Sequence, residues 1–162
     1  NAGIFDPRIK SRSRIHLYRA DKLVRQQDPQ ASALLFDQAG FAAETTVGNF
    51  YIVKDNVIKS PRPENILGGI SQIMVVRLAK QLGLRYEETD ISINEIIDAD
   101  EALTSSTAYC LMPVTRFDGH ALSGGVPGRV YQELLSAWSR TVGVDIVQQA
   151  KQIGEERRNA LN

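Results

Sequence analysis

Apolar residues near the start of the chain recur at helical spacing and then stop abruptly. Between Arg12 and about Gln27 they are Ile15, Leu17, Tyr18, Leu23 and Val24. A spacing of three or four residues places such side chains on one face of a helix. Asp28-Pro29 ends the segment, because proline disfavours helical backbone in the residue before it. The pattern predicts one helix over this stretch.

The next part of the chain alternates short apolar runs with turn-forming residues, which is typical of strands joined by hairpins. The predicted elements are a buried strand at Ala33–Phe36, a turn at Asp37–Gly40, its partner strand at Phe41–Glu44, a strand at Phe50–Val53, a turn at Asp55-Asn56, and Val57-Ile58 leading into a loop with Pro61 and Pro63.

The rest of the chain mixes helical and strand patterns. Gly69 is expected to open a helix that ends at Gly83, because glycine readily takes the left-handed conformation found at helix ends. Ser92 and Glu95 have the spacing of a capping box. Further predicted elements are strands at Arg85–Thr89, Ala102–Thr104 and Leu111–Phe117, a hairpin turn at Asp118-Gly119, a helix at Val130–Val142 closed by Gly143, and a polar helix from about Asp145. The irregular interleaving of strands and helices predicts the α+β class.

The composition of the chain argues against several classes of partner and site. The chain has 162 residues, of which 43% are hydrophobic and 23% charged, as in an ordinary globular domain. Nineteen basic and nineteen acidic residues cancel, so no nucleic acid or anionic membrane is indicated as a partner. No apolar run approaches the roughly 20 residues that span a bilayer. Cys110 is the single cysteine, which excludes an internal disulfide and favours a reducing cytoplasm; no metal site is expected.

Three stretches of sequence occur in an order that is specific in combination. They are "ALLFDQAGFAAETTVGNFYIV" at Ala33–Val53, "ILGGIS" at Ile66–Ser71 and "SSTAYCLMPVTRFDGHALSGGVPGRVYQELL" at Ser105–Leu135. Together they resemble the signatures of class IV (fold-type IV) aminotransferases, a family that includes branched-chain and D-amino acid aminotransferases. The resemblance implies the large cofactor-binding domain of the D-amino acid aminotransferase-like fold, with mixed sheets in a pseudo-barrel and surrounding helices.

The resemblance also implies pyridoxal 5′-phosphate as the cofactor, and an amino acid and a 2-oxo acid as substrates. Lys10, in "DPRIKSRSRIHLYRAD", falls where the family has the lysine that forms a Schiff base with the cofactor. Such an amine also moves the proton at the substrate's α-carbon. Glu44 falls where the family has the carboxylate that keeps the pyridine nitrogen protonated.

The phosphate group needs backbone donors and positive potential, which the start of a helix provides. The resemblance assigns this role to the helix that opens near Gly69. Each candidate also has an ordinary interpretation, as a solvated lysine, a hairpin glutamate, a tight glycine turn, a core leucine or a strand hydroxyl. The implied cofactor contacts are Lys10, Glu44, Leu67 on one face of the ring, Gly69, Ile70 and Ser71 at the helix start, and Thr107 with the preceding Ser106.

Some positions depart from the family pattern. Ser13-Arg14-Ile15 stands where branched-chain enzymes often have Asn-Tyr, and Gln72 replaces the usual arginine after Ile-Thr. The family's smaller N-terminal domain is not found in these residues. The expected organisation is therefore a cofactor-binding domain at 3–144, a helix or tail at 145–162, and a remnant of an expression tag at 1–2.

Two alternatives to an aminotransferase stay open. One is a lyase on the same fold, of the 4-amino-4-deoxychorismate lyase kind. The other is a non-catalytic domain that keeps the fold for assembly. Because the family usually forms dimers, a homodimer is expected for the full-length protein by resemblance.

Overall fold

The computed structural model describes residues 6–160, which form five helices and nine strands. The helices are α1 (Ile15–Arg25), α2 (Ile70–Gln81), α3 (Ile93–Ile97), α4 (Arg129–Val142) and α5 (Ile146–Asn159). The strands are β1 (Leu34–Phe36), β2 (Ala42–Thr45), β3 (Asn49–Lys54), β4 (Val57–Ser60), β5 (Arg85–Glu88), β6 (Glu101–Ser106), β7 (Cys110–Val114), β8 (Arg116–Phe117) and β9 (His120–Ala121). Short 3-10 turns cover Pro63–Asn65 and Ser123–Gly125. The mixture confirms the α+β class, whereas the tag remnant expected at 1–2 lies outside the described residues.

Strand β3 is the centre of the main sheet because it pairs antiparallel with three strands. It pairs with β2 at Asn49, with β4 over its last three residues, and with β6 from Asn49 to Val53. Antiparallel β1 and β7 extend the sheet beyond β2 and β6, and β5 pairs in parallel with β4. A parallel pair needs a crossover connection, and α2 provides it between β4 and β5. Strands β8 and β9 form a separate hairpin.

Strand β3 is buried on both faces. Tyr51 and Val53 pack into a core that includes α2 and α4. Phe50 and Ile52, which point the opposite way, pack into a second core around Ile91. Because successive side chains of a strand alternate between its faces, one continuous apolar run contributes to both cores. This explains why the predicted strand lacks an apolar–polar alternation.

Local turn and cap signals were predicted correctly. The Asp55-Asn56 turn between β3 and β4 has φ of 51° and 62°, as in the tight turns that suit hairpins. At the predicted capping box, Ser92 Oγ accepts from the Glu95 amide at 3.3 Å, and Glu95 Oε2 accepts from the Ser92 amide at 3.0 Å. Gly143 ends α4 with φ of 71°.

Three predicted elements were wrong in detail. The strand at Ala33–Phe36 is the shorter β1, half-buried because it lies at the edge of the described sheet. Val57-Ile58 leads into the predicted loop only after it has formed β4 together with Lys59 and Ser60. This strand pairs with β3 across the Asp55-Asn56 turn and with β5, which comes much later in the sequence. The strand at Leu111–Phe117 is divided into β7 and β8, and the intervening Thr115 carbonyl accepts from the Leu122 amide at 2.9 Å.

Helix α4 begins at a buried carboxylate that belongs to β6. Glu101 is 7% exposed; its Oε1 accepts from the Val130 amide at 2.8 Å, and its Oε2 from the Tyr131 amide at 2.9 Å. The first amides of a helix have no partner within it, and a negative charge there also favours the helix dipole. A side chain at Gly128 would overlap this carboxylate, so the position requires glycine.

Helix α5 follows α4 directly and confirms the polar helix predicted from about Asp145. The Asp145 carboxylate accepts from the Gln148 amide at 2.9 Å and so caps the helix. Ile146 packs against the core, while most of the helix is exposed. Within residues 6–160, no helix combines the length and apolar character needed to cross a bilayer.

Candidate active site

Glu44 lies in β2, directly opposite Asn49 of β3. Its carboxylate is half-buried and accepts from the Leu67 amide at 3.3 Å. Burial raises the pKa of Glu44 from its ordinary 4.5 to about 6, although the Leu67 hydrogen bond and the charge of Arg14 oppose the rise. The hydrogen bond and the arginine charge therefore offset only part of the cost of burying a negative charge at Glu44. A further cationic group would stabilise the ionised carboxylate.

Leu67 is held on both sides by polar side chains of the hairpin formed by β2 and β3. Its amide donates to Glu44, and its carbonyl accepts from Asn49 Nδ2 at 2.9 Å. Asn49 itself is 4% exposed. This pair of contacts fixes the loop before α2 against the sheet. The sequence motifs alone do not reveal the role of Asn49. A signal was present, because an apolar residue is usual in a buried strand and an asparagine at its start indicates a specific hydrogen bond.

The start of α2 lies immediately beyond this loop, as predicted. Gly69 precedes the helix in extended conformation, and its amide donates to Gln72 Oε1 at 3.4 Å. Ile70 is exposed and Ser71 is buried. The amides of the first turn have no partner within the helix, so those of Ile70 and Ser71 are suitable donors for an anion.

Glycine at position 69 is required by a contact within the fold. A Cβ at Gly69 would overlap Asn49 Oδ1. The loop before α2 therefore approaches Asn49 closely only because residue 69 has no side chain.

The end of β6 lies beside the same residues. Ser105 pairs with Asn49 in the sheet. This pairing brings Ser106, the last residue of β6, and Thr107, in the turn that follows, towards the candidate site. Ser106 Oγ accepts from the Ala108 amide at 3.4 Å, and Thr107 is exposed. Thr107 is thus in a turn and is not a strand residue with a satisfied hydroxyl.

A layer of hydroxyl groups supports this end of the sheet. Tyr51 and Ser105 share a buried hydrogen bond of 2.7 Å, and Tyr109 donates to Thr104 Oγ1 at 3.3 Å. A side chain at Gly48 would overlap the Ser105 carbonyl. The turns after β2 and β6 are therefore packed closely together and hold the candidate residues in a fixed arrangement.

Lys10 lies in the segment before α1 and is exposed. Arg14, four residues later, donates through Nη2 to the Thr46 carbonyl at 2.5 Å. This contact ties the Lys10 segment to the turn that follows Glu44. The structure thus gathers Glu44, Leu67 and the start of α2 around Asn49, with the β6 turn beside them, and leaves Lys10 outside this packed group.

Among the described residues, no cluster of three or more His, Cys, Asp or Glu side chains could hold a metal ion.

The raised pKa of Glu44 predicts a pH-dependent stability. In the cofactor-free chain the folded state binds this proton more tightly than the unfolded state, so stability falls as pH rises from about 4.5 to 6. Glu44→Gln should remove this loss. Because the group is partly open to solvent, we expect the variant to gain about 1 kcal/mol in free energy of unfolding at pH 7 to 8.

Urea denaturation of the two proteins at a series of pH values measures this effect. Only the difference between wild type and variant is interpreted, because other carboxylates titrate in the same range. Glu64→Gln, which changes an exposed glutamate three residues before Leu67, is the control for the loss of one carboxylate. A Glu44→Gln difference that does not vary between pH 4 and 7 contradicts the assigned pKa.

Known proteins resemble this chain in sequence and in fold. The family model described as "Amino-transferase class IV" matches residues 1–117. A D-alanine aminotransferase of Bacillus licheniformis is 32% identical over 123 residues, covering 74% of this chain and 44% of that protein. The solved branched-chain amino acid aminotransferase of Escherichia coli superposes with a TM-score of 0.74 at 27% identity, covering 77% of this chain and 42% of that one.

A further solved structure shows the likeness of the fold. It is a T.th. branched-chain amino acid aminotransferase in complex with N-(5′-phosphopyridoxyl)-L-glutamate, with a TM-score of 0.81 at 24% identity, and it covers 88% of this chain and 48% of that one. The chain spans about half the length of the relatives that it matches. With the family model matching 117 of 162 residues, this chain belongs to the class IV aminotransferase family.

Proposed function

We propose that this chain is the cofactor-binding part of an aminotransferase that uses pyridoxal 5′-phosphate. The whole protein would transfer an amino group between an amino acid, of the branched-chain or D type, and a 2-oxo acid. The observation that supports this most directly is the assembly around Asn49. It binds the half-buried Glu44 carboxylate to the Leu67 amide, and Leu67 comes just before the start of α2.

The residues fit the chemistry of this cofactor at both ends. Glu44 needs a positive partner because burial opposes its charge, and a protonated ring nitrogen is such a partner. The amides of Ile70 and Ser71 and the dipole of α2 suit a phosphate group. Leu67, fixed between these two features, would lie against a face of the ring.

Hydroxyl groups would complete the phosphate site. The Ser71 side chain belongs to the same first turn as the donor amides. The pairing of Ser105 with Asn49 brings alongside Ser106, at the end of β6, and Thr107, in the turn that follows. These groups would add neutral donors to the two amides.

The bound cofactor supplies an electron sink for the carbanion formed at the substrate's α-carbon. Lys10 Nζ would attach the cofactor and then move the proton at that α-carbon. The Glu44 carboxylate would keep a proton on the ring nitrogen through a charge-assisted hydrogen bond. The amides at the start of α2 would hold the phosphate in place, so that the reacting atoms stay oriented.

The domain limits and the assembly are also part of the proposal. Residues 3–144 would form the cofactor-binding domain, and 145–162, which contain α5, would be an addition to it. The full-length protein would include a smaller domain that completes the substrate pocket. We propose that it acts as a homodimer in the cytoplasm.

Purified full-length protein should test this function directly. It should show a visible absorption band of bound pyridoxal phosphate. It should convert more than one equivalent of an amino acid to its 2-oxo acid only when a second 2-oxo acid is present as amino acceptor. A panel of D-alanine, L-leucine and L-valine with 2-oxoglutarate would identify the class of amino donor.

Two other results would replace the proposal. Release of pyruvate from 4-amino-4-deoxychorismate without an amino acceptor would indicate a lyase. Failure of the full-length protein to bind pyridoxal phosphate, with the fold intact by circular dichroism, would indicate a non-catalytic domain.

A further inference from the structure

Arg14 connects two parts of the candidate site that are distant in sequence. It immediately precedes α1, and its guanidinium donates to the carbonyl of Thr46, 32 residues later. Thr46 is the second residue after Glu44 and lies in the tight turn between β2 and β3. The turn itself is braced by Thr45, whose hydroxyl accepts from the Gly48 amide at 3.0 Å.

Thr46 is also held by α1 through a second, independent contact. Its hydroxyl donates to Asp21 Oδ1 at 2.8 Å, and the same oxygen accepts from the Ala33 amide at 3.0 Å. Thr46 is 2% exposed. The turn therefore has a fixed position relative to α1, so the Arg14 contact adds a constraint on the chain that leads back to Lys10.

Arg14 is also the charged group that acts on Glu44. The groups that affect this carboxylate are the Leu67 amide, from the loop before α2, and the Arg14 guanidinium, from the segment before α1. The cationic charge favours the ionised carboxylate, whereas burial favours its protonated form. Arg14 itself is exposed, so water screens part of this attraction.

We propose that Arg14 is a positioning residue of the site, which fixes the Lys10 segment to the Thr46 turn and places a positive charge at the turn that follows the strand of Glu44. A role for Arg14 in catalysis rests on the proposed function. Arg14 lies four residues after Lys10, so its hydrogen bond to Thr46 joins the segment of the lysine to the hairpin of the glutamate.

The ionisation of Glu44 in the cofactor-free chain tests the charge directly. Carbon-13 NMR of the glutamate carboxyl groups, assigned with Glu44→Gln, gives its midpoint. Arg14→Gln should raise this midpoint by about 0.2–0.7 pH units, the range for an ion pair partly open to water. Arg14→Lys should keep most of the effect, and Arg12→Gln, an exposed arginine two residues earlier, should have none.

Binding of pyridoxal phosphate by the full-length protein gives a second measurement. Affinity should increase with pH as Glu44 ionises, and Arg14→Gln should move this rise to higher pH by the same amount as the NMR midpoint. A purely structural role would lower the melting temperature without moving either midpoint. An unchanged Glu44 midpoint in folded Arg14→Gln overturns the inference.

These results separate this inference from the proposed function. If wild-type protein binds no pyridoxal phosphate but the Glu44 midpoint still depends on Arg14, the function is wrong and the electrostatic contact is real. If wild-type protein binds the cofactor but Arg14→Gln changes neither midpoint, the function stands and the role of Arg14 is rejected.

Discussion

Replacing Lys10 with alanine in the full-length protein is expected to lower the rate of transamination roughly a thousandfold while the fold stays intact. The amine would be both the attachment point of the cofactor and the group that moves the proton at the α-carbon. Because Lys10 is exposed before α1, its removal leaves the packing undisturbed. Initial rates with a saturating amino donor measure the loss, and thermal unfolding checks the fold.

The matched control is Lys22→Ala, which removes another exposed lysine, on α1. It should retain the activity of the wild type. Borohydride reduction of wild-type protein, followed by peptide mapping, should place the pyridoxyl group on Lys10. A label on Lys22 or Lys54, or an active Lys10→Ala protein, would show that the attachment point has been assigned to the wrong residue.

Gly69→Val is expected to have the second largest effect, on both stability and cofactor binding. The new Cβ would overlap Asn49 Oδ1, and Asn49 is buried with its Nδ2 bound to the Leu67 carbonyl. Relief of the overlap requires either the side chain or the loop to move. We expect the free energy of unfolding to fall by about 1–3 kcal/mol. Displacing the start of α2 should weaken the binding of pyridoxal phosphate by about tenfold or more.

Gly68→Ala is the matched control for this variant. A Cβ at Gly68 would meet no other atom within 4 Å, so the substitution should leave stability nearly unchanged. Ser71→Ala should have an intermediate effect, because it removes one hydroxyl and leaves the amides in place. Urea denaturation and equilibrium titration with pyridoxal phosphate measure these quantities. Equal affinities for wild type and Gly69→Val would show that the start of α2 does not bind the phosphate group.

The sequence could predict those elements whose signals are local. The Asp55-Asn56 turn, the capping box at Ser92 and the glycine that ends α4 each depend on residues close together in the chain. Such signals act through backbone conformation and through hydrogen bonds between near neighbours, so they are readable without the fold.

Contacts between distant residues could not be predicted in this way. The parallel partner of β4 is one example: β5 lies alongside Val57-Ile58, and no feature of that dipeptide indicates a strand that begins at Arg85. In the candidate site, the resemblance to a family assigned roles to Glu44 and Leu67. It assigned none to Asn49, which binds the Leu67 carbonyl, or to Arg14, which binds the Thr46 carbonyl. Those two contacts join residues 18 and 32 positions apart, and their partners are backbone carbonyls, which carry no signature in the sequence.

The Glu101 carboxylate also determines how α4 can move. Helix ends normally fray and re-form quickly, since their terminal amides lack partners within the helix. Here the amides of Val130 and Tyr131 are bound by a strand of the main sheet. Opening of α4 from this end therefore disturbs β6, which also pairs with β3 and carries Ser105 beside the candidate site. The helix end and the strand beneath the site should consequently open together, as one cooperative unit with slow exchange of its amide hydrogens.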